Sequence, residues 1–408
     1  MSESTEIRDR SLRRSRRDRL GEGGPRRDGG PLREGGPLRE GSPLGEDKPA
    51  GKGDGLDLGR IRGQRTARAG TLFLILIIAL IAACVLSAAI GQLFIPPLEV
   101  VGSLLNKVGL DWLPGPSHDF GEEALWQVRF PRVVMTVLVG AALAVAGAMM
   151  QGVFGNPLAE PGVVGVSSGA AVGASASILF GWSFLGAFTT PTFAFVSGLI
   201  TTFIVYTVSR SGGRTEVITL VLTGVAVNAI AGAAIAYITF AAPTSAREQI
   251  VFWQMGSFNG SLWSQVGLIL PLIVFGIIIA QTLAPGLDIL SLGEKSARHV
   301  GINVERLRII VMAVVALLVS AAVAFCGIIA FVGLVVPHII RMIIGPGHRL
   351  LLPASVLGGA VLLSIADLAA RTLVEFADLP IGMLTSLVGG PFFFYLIRRS
   401  RKESGGWA

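Results

Sequence analysis

Beyond residue 70 the chain is a succession of apolar runs, at 71–93, 130–152, 163–182, 190–209, 216–240, 264–284, 307–327, 329–345, 352–372 and 380–398. A helix that crosses a bilayer needs about 20 apolar residues. The runs therefore predict about ten transmembrane helices. The eighth is short and interrupted by glycine and proline. Only 15% of residues are charged against 51% hydrophobic, the balance of a polytopic membrane protein. The expected fold is an all-α polytopic membrane protein.

Orientation follows from Lys and Arg. An even number of crossings puts both ends on one side. With the ends inside, the inner segments hold Arg210, Arg214, Lys295, Arg298, Arg306, Arg308, Arg341, Arg349, Arg398, Arg399, Arg401 and Lys402. The outer segments keep Lys107, Arg129, Arg132, Arg247 and Arg371. The bias places both termini in the cytoplasm and makes the outer arginines exceptions to it.

Two of those exceptions open the most patterned stretch, Gln127 to Gly173. Arg129-Phe130-Pro131-Arg132 leads into an apolar helix with Gly140, Ala144, Ala148 and Gly152 at every fourth place. After a break at Asn156-Pro157 and Pro161-Gly162, Gly165, Gly169 and Gly173 repeat the spacing. Small residues four apart let two helix backbones approach closely in lipid. The expectation is that these two helices pack tightly on each other.

Residues 1–70 differ in kind. They carry 17 Lys and Arg against 12 Asp and Glu, with a six-residue repeat in GGPLREGGPLREGSPLGE. Such a segment cannot bury a core and is expected to be a disordered basic cytoplasmic tail. Residues 401–408 form a second short tail. Residues 94–128 read as an outer loop with an interfacial Trp112, and 243–263 as a short amphipathic helix at the outer surface, with Phe252, Trp253 and Trp263 at headgroup level. The inner segment 288–308 reads as a loop with a helical middle and a glycine stop at Gly301.

Several chemistries find no support. Gly51-Lys52 is followed by Gly53, so no phosphate-binding loop exists and no ATPase is expected in this chain. His118, His299, His338 and His348 lack metal-ligand spacing, and Cys84 and Cys326 lie singly in apolar runs. No catalytic residues and no metal site are expected, nor nucleic-acid binding. Asp367 and Arg371, four apart, share a helix face as an ion pair or as a carboxylate orienting an arginine toward an outside partner. No line of buried carboxylates crosses the membrane, which counts against an ion-coupled secondary transporter.

WQVRFPR and VGAALAVAGAMMQGVFGNPLAEPGVVGVSSGA resemble the FecCD family, the permeases of binding-protein-dependent ABC importers for ferric siderophores, haem and cobalamin. FWQMGSFNGSLW, LSLGEKSARHVGINVERLR, GIIAFVGLVVPHIIRMIIGPGHRLLLP and IADLAARTLVEFADLPIGMLTSLVGGPFFFYLI resemble it too, in the same order. The resemblance covers about residues 71–400 as one transmembrane permease domain. It implies a homodimer in a bacterial cell membrane, two cytoplasmic ATPase subunits carrying ATP and magnesium, and one extracytoplasmic binding protein. The chain itself would bind no cofactor.

Residue by residue, Arg129 and Arg132 match the family's R-x-P-R pair, and Arg371 matches the arginine after A-D in the ninth helix. The resemblance implies that they receive carboxylates of the binding protein. Leu292, Gly293, Glu294, Ala297 and Gly301 match the segment that sits on the ATPase and couples it to the helices. Gly155 stands where many members have arginine, so the inner turn is given no contact. Asn228, Tyr237 and Met255 are candidate path contacts. TLVLTGVAVNAIAGA and TSAREQIVFWQMGSFNG resemble haem permeases more than cobalamin ones, with ferric siderophore the near rival and His118 a candidate transient haem ligand.

Overall fold

The computed structural model describes residues 58–211, 214–374 and 377–403. Of the expected disordered tail over 1–70, residues 1–57 lie outside them, as do 404–408. Residues 58–70 do not extend that tail: they are helical, because α1 runs over Leu58–Ala89. Its first turns, LGRIRGQRTAR, contain no proline and several arginines, which prolong a helix readily beyond its apolar part.

The expected outer loop contains α2 (Pro97–Lys107) and α3 (Gly121–Glu123). A π-helical turn, Ala124–Arg129, then feeds α4 (Phe130–Phe154). A 3-10 turn over Pro161–Val164 precedes α5 (Val166–Leu179), and α6 (Thr189–Val208) follows. A two-residue pairing of β1 (Arg210–Ser211) with β2 (Arg214–Thr215) makes a hairpin before α7 (Val217–Ala241). Then come α8 (Thr244–Met255), α9 (Trp263–Leu290), α10 (Glu294–His299), α11 (Val304–Cys326), α12 (Val332–Ile344), α13 (His348–Thr372) and α14 (Ile381–Glu403).

Seven helices among the described residues are long and apolar enough to cross a membrane, namely the spans in α1, α4, α6, α7, α9, α11 and α13. The other three apolar runs give shorter helices: α5, α12 and the Ile381–Leu396 part of α14. Irregular backbone leads into two of them. The 3-10 turn precedes α5, and Phe331, at φ 68, starts α12 from a left-handed conformation that a bulky side chain seldom adopts.

The small residues pack as closely as their spacing implies, but on other partners. A Cβ on Gly140 would meet the backbone of Gly359 in α13, and one on Gly147 the backbone of Gly333 in α12. Gly169 and Gly173 lie instead against Thr201, Ser197 and Phe193 of α6. So α4 packs on α13 and α12, and α5 packs on α6, rather than α4 on α5. Spacing fixes how near a neighbour can come; the break over Gly155–Gly165 sends α5 away to a different one.

The interior centres on α4 and α11, which are buried along most of their length. By contrast, α7 is apolar yet largely exposed, with Ile218, Leu222, Val225, Ile230, Tyr237 and Phe240 uncovered. An apolar helix exposed on that scale faces lipid or another subunit.

Candidate functional site

Polar side chains gather at the two ends of the bundle. At one end stand the starts of α4 and α9 and the end of α13, held together in part by the Trp263 indole N–H donating to the Trp126 carbonyl. At the other end stand α10, the hairpin and the start of α11.

The first end is an arginine cage. Arg129 donates to the carbonyls of Ala88, Ala89 and Leu93, at and just past the end of α1. The last carbonyls of a helix have no partner within it and carry its negative dipole end, so a guanidinium satisfies both needs. Arg371 Nη2 donates to the Ser87 carbonyl and hydroxyl, each at 2.7 Å, and its Nε lies 3.4 Å from Asp367. Arg132 grips Asp367 with Nε and Nη2, both at 3.0 Å, and reaches Asp378 with Nη1 at 2.8 Å. Asp367 is 1% exposed, Arg129 7% and Arg132 8%. The expected docking arginines are thus brought together, but as buried groups already bonded within the chain. Asp367 orients Arg371, and binds Arg132 more fully. Asp378, which the sequence reading does not single out, completes the cage from the segment before α14.

The other end holds the expected coupling segment. Gly293, at φ 106, and Gly301, at φ 89, bracket α10 with backbone that side chains rarely adopt. Ala297 is fully buried and anchors the short helix, while Leu292 is 74% exposed. Glu294 pairs with Arg298 at 3.6 Å and with the buried Arg308. Arg308 Nη1 donates to the Thr215 carbonyl at 3.0 Å. Glu305 accepts from the Thr215 amide at 3.1 Å and from the Tyr206 hydroxyl at 2.7 Å, and the Thr215 hydroxyl lies against it. Arg308, Glu305, Thr215 and Tyr206 are residues the sequence reading misses. By sequence alone Arg308 is one more inner charge. The available signal is that Glu305 and Arg308 are three apart in the first turn of a helix and so share a face.

The candidate path residues are dispersed. Asn228 joins α7 to the turn before α5, donating to the Gly162 carbonyl at 3.2 Å and accepting from Ser168. Tyr237 and Met255 are exposed, Tyr237 on the open face of α7 and Met255 at the end of α8, where Gly382 abuts its carbonyl. His118 lies in the segment before α3, where its Nδ1 accepts from the Phe120 amide at 3.2 Å.

The Gly155–Gly165 break gains a contact absent from the sequence reading. Glu160 accepts from the Phe331 amide at 3.0 Å, satisfying a donor at the start of α12. Burial pushes its carboxyl above the usual range, and that hydrogen bond opposes the shift.

Residues 76–399 match the model of the FecCD transport family. The chain belongs to that family. It is 43% identical over 295 residues to the hemin transport system permease of Yersinia pestis, covering 70% of this chain and 87% of that protein. It is 42% identical over 273 residues to the cobalamin import system permease of Halobacterium salinarum, covering 66% and 72% respectively. A solved metal-chelate type ABC transporter in an inward-facing conformation matches with a TM-score of 0.71 and 32% identity, over 81% of this chain and 99% of that one. This FecCD chain is therefore a permease subunit of an ABC importer.

Proposed function

We propose that this FecCD permease moves haem from an extracytoplasmic binding protein into the cytoplasm of a bacterium, driven by ATP and magnesium on two separate ATPase subunits. Two copies form the path, with both termini cytoplasmic. The three short apolar helices join the seven long ones to make ten crossings. The observation that carries the reading is the placement of its two polar clusters. The arginine cage and α10 lie at opposite ends of the same bundle, one for an outer partner and one for an inner partner. Likeness to the Yersinia hemin permease favours haem. Likeness of nearly equal strength to a cobalamin permease supports cobalamin as the second reading.

Docking of the binding protein would draw on the field of Arg129, Arg132 and Arg371 rather than on free guanidinium forks. Three positive charges stand against Asp367 and Asp378, and the low-dielectric surroundings preserve the excess. Leu292, Gly293, Glu294, Ala297 and Gly301 would meet the ATPase. Asn228, Tyr237 and Met255 would face the path, Asn228 also holding α7 to the turn before α5.

The test is uptake into proteoliposomes that contain this chain, its ATPase and its binding protein, with haem, a ferric siderophore and cobalamin offered in parallel. ATP-dependent haem uptake is expected. Uptake that persists without ATP would sink the importer reading in favour of an ion-coupled carrier, and cobalamin uptake without haem uptake would replace the substrate.

A further inference from the structure

We infer that Arg308 is the positioning residue through which displacement of α10 reaches the base of α7. The inference rests on α10 being the segment that meets the ATPase.

Thr215 is the last residue of the hairpin strand, two positions before α7 begins. It is 3% exposed, and α11 holds it at three points. Its carbonyl accepts from Arg308, its amide donates to Glu305, and its hydroxyl lies against the same carboxylate. Glu305 also accepts from Tyr206 near the end of α6. The entry to α7 is thus clamped to the first turn of α11. Higher up, α7 rests one side on α5 and the turn before it and leaves most of its surface uncovered; α11 holds it at its base.

Arg308 extends the clamp to α10. Arg308 turns one nitrogen to Thr215 and another to Glu294, the first residue of α10. Arg308 is 5% exposed, whereas the Glu294 side chain is 46% exposed. A buried guanidinium with few partners holds those it has strongly, because an uncompensated charge there is costly. The helix at the other end of the tether is short, held by the buried Ala297 and flanked by glycines at φ 106 and φ 89. A light, hinged helix tied by a charge pair to a buried arginine can pull it. A helix packed on all sides could not move independently.

The same bonds in a static staple would hold the hairpin without conveying motion, so the test must read motion. The full chain, assembled with its ATPase subunits and binding protein in lipid, is followed by hydrogen exchange with and without ATP. In the wild type, exchange should change in 291–301 and in 209–217. In Arg308→Gln the change in 291–301 should persist, while that in 209–217 should be largely lost. Transport should fall with it. Arg308→Lys should restore part of both, since an ammonium can still bridge the two acceptors.

An undiminished response of 209–217 in Arg308→Gln would overturn the inference while leaving the role of α10 intact. No response of 291–301 in the wild type would instead overturn the reading of α10, and this inference with it. Should Arg308→Gln fail to assemble, Glu294→Gln keeps the shape and weakens the tether at its α10 end, leaving Arg308 and Glu305 in place. It too should blunt the hairpin response, and an unchanged response would overturn the inference.

Discussion

The two ends of the bundle use the same chemistry, arginine against carboxylate, in opposite ways. In the arginine cage the guanidiniums are sealed: Arg129 and Arg132 are under a tenth exposed, and their donors go to helix-end carbonyls and to aspartates. The cage locks α1, α4, α13 and the segment before α14 into one block. At the α10 end one arginine is sealed, but its carboxylate partner Glu294 is half exposed and rides on a short helix between glycines. A closed cluster gives a fixed socket, whereas a cluster with one open member gives a joint. An importer that receives a partner outside and is driven by another inside has use for one of each.

The comparison breaks most directly at Asp367. Removing it leaves Arg132 and Arg371 buried with their main counter-charge gone. Breaking one partner of a buried pair costs about 3–5 kcal/mol. Asp367→Ala should therefore lower the unfolding midpoint strongly in a thermal or denaturant assay of the purified membrane protein. A loss under about 1 kcal/mol, the range of exposed pairs, would mean that the cage is no more sealed than the joint. For the same reason, reversing Arg129 or Arg132 to glutamate is a poor probe of docking unless folding is measured alongside.

Close backbone packing comes next in size. At Gly147 a methyl group would meet the backbone of Gly333 in α12, which has no flexible side chain to give way. Gly147→Ala should cost about 1–3 kcal/mol, as overpacking does, and should be felt at α12 rather than at α5. Cross-linking of α4 to α12 through cysteine pairs would show the shift. Neutral behaviour would place the tight contact elsewhere.

Much of this is legible in the residues. Apolar length marks the spans, and Arg129, Arg132 and Arg371 stand out as positive charges on the side that the overall bias leaves poor in them. The spacing of Gly140, Ala144, Ala148 and Gly152 declares a close approach, because it is a property of one helix. Which helix approaches is a property of two, and the chain between α4 and α5 conceals it. The cage and the joint are harder still. Asp378 and Arg132 are far apart in sequence, as are Thr215 and Arg308, so nothing local marks them as partners.

At the joint, Glu294→Ala should separate stability from coupling. Exposed ion pairs are worth up to about 1 kcal/mol and breaking fully buried ones costs about 3–5 kcal/mol. With Glu294 half exposed and Arg308 buried, the loss should fall between the two, below that of Asp367→Ala. ATPase activity stimulated by the loaded binding protein should nonetheless drop, since α10 loses its tie to Arg308. Normal stimulation in reconstituted complexes would remove α10 from the drive train. A large stability loss would show the joint to be a second sealed cluster, and the contrast between the two ends would vanish.

The finest distinction concerns Tyr206. Its hydroxyl gives Glu305 one hydrogen bond at 2.7 Å and lies 3.1 Å from that of Thr215. Tyr206→Phe keeps the ring over which Arg210 lies, at 6.0 Å from its centre, and removes only the hydroxyl. Glu305 retains the Thr215 amide as a donor, so no buried charge is orphaned. The expected loss is that of a single hydrogen bond, about 0.5–1.5 kcal/mol, with transport reduced less than in Arg308→Gln. If Tyr206→Phe instead matched Arg308→Gln in transport, the drive would enter α7 through α6 and Glu305. The joint would then be a network with no single tether.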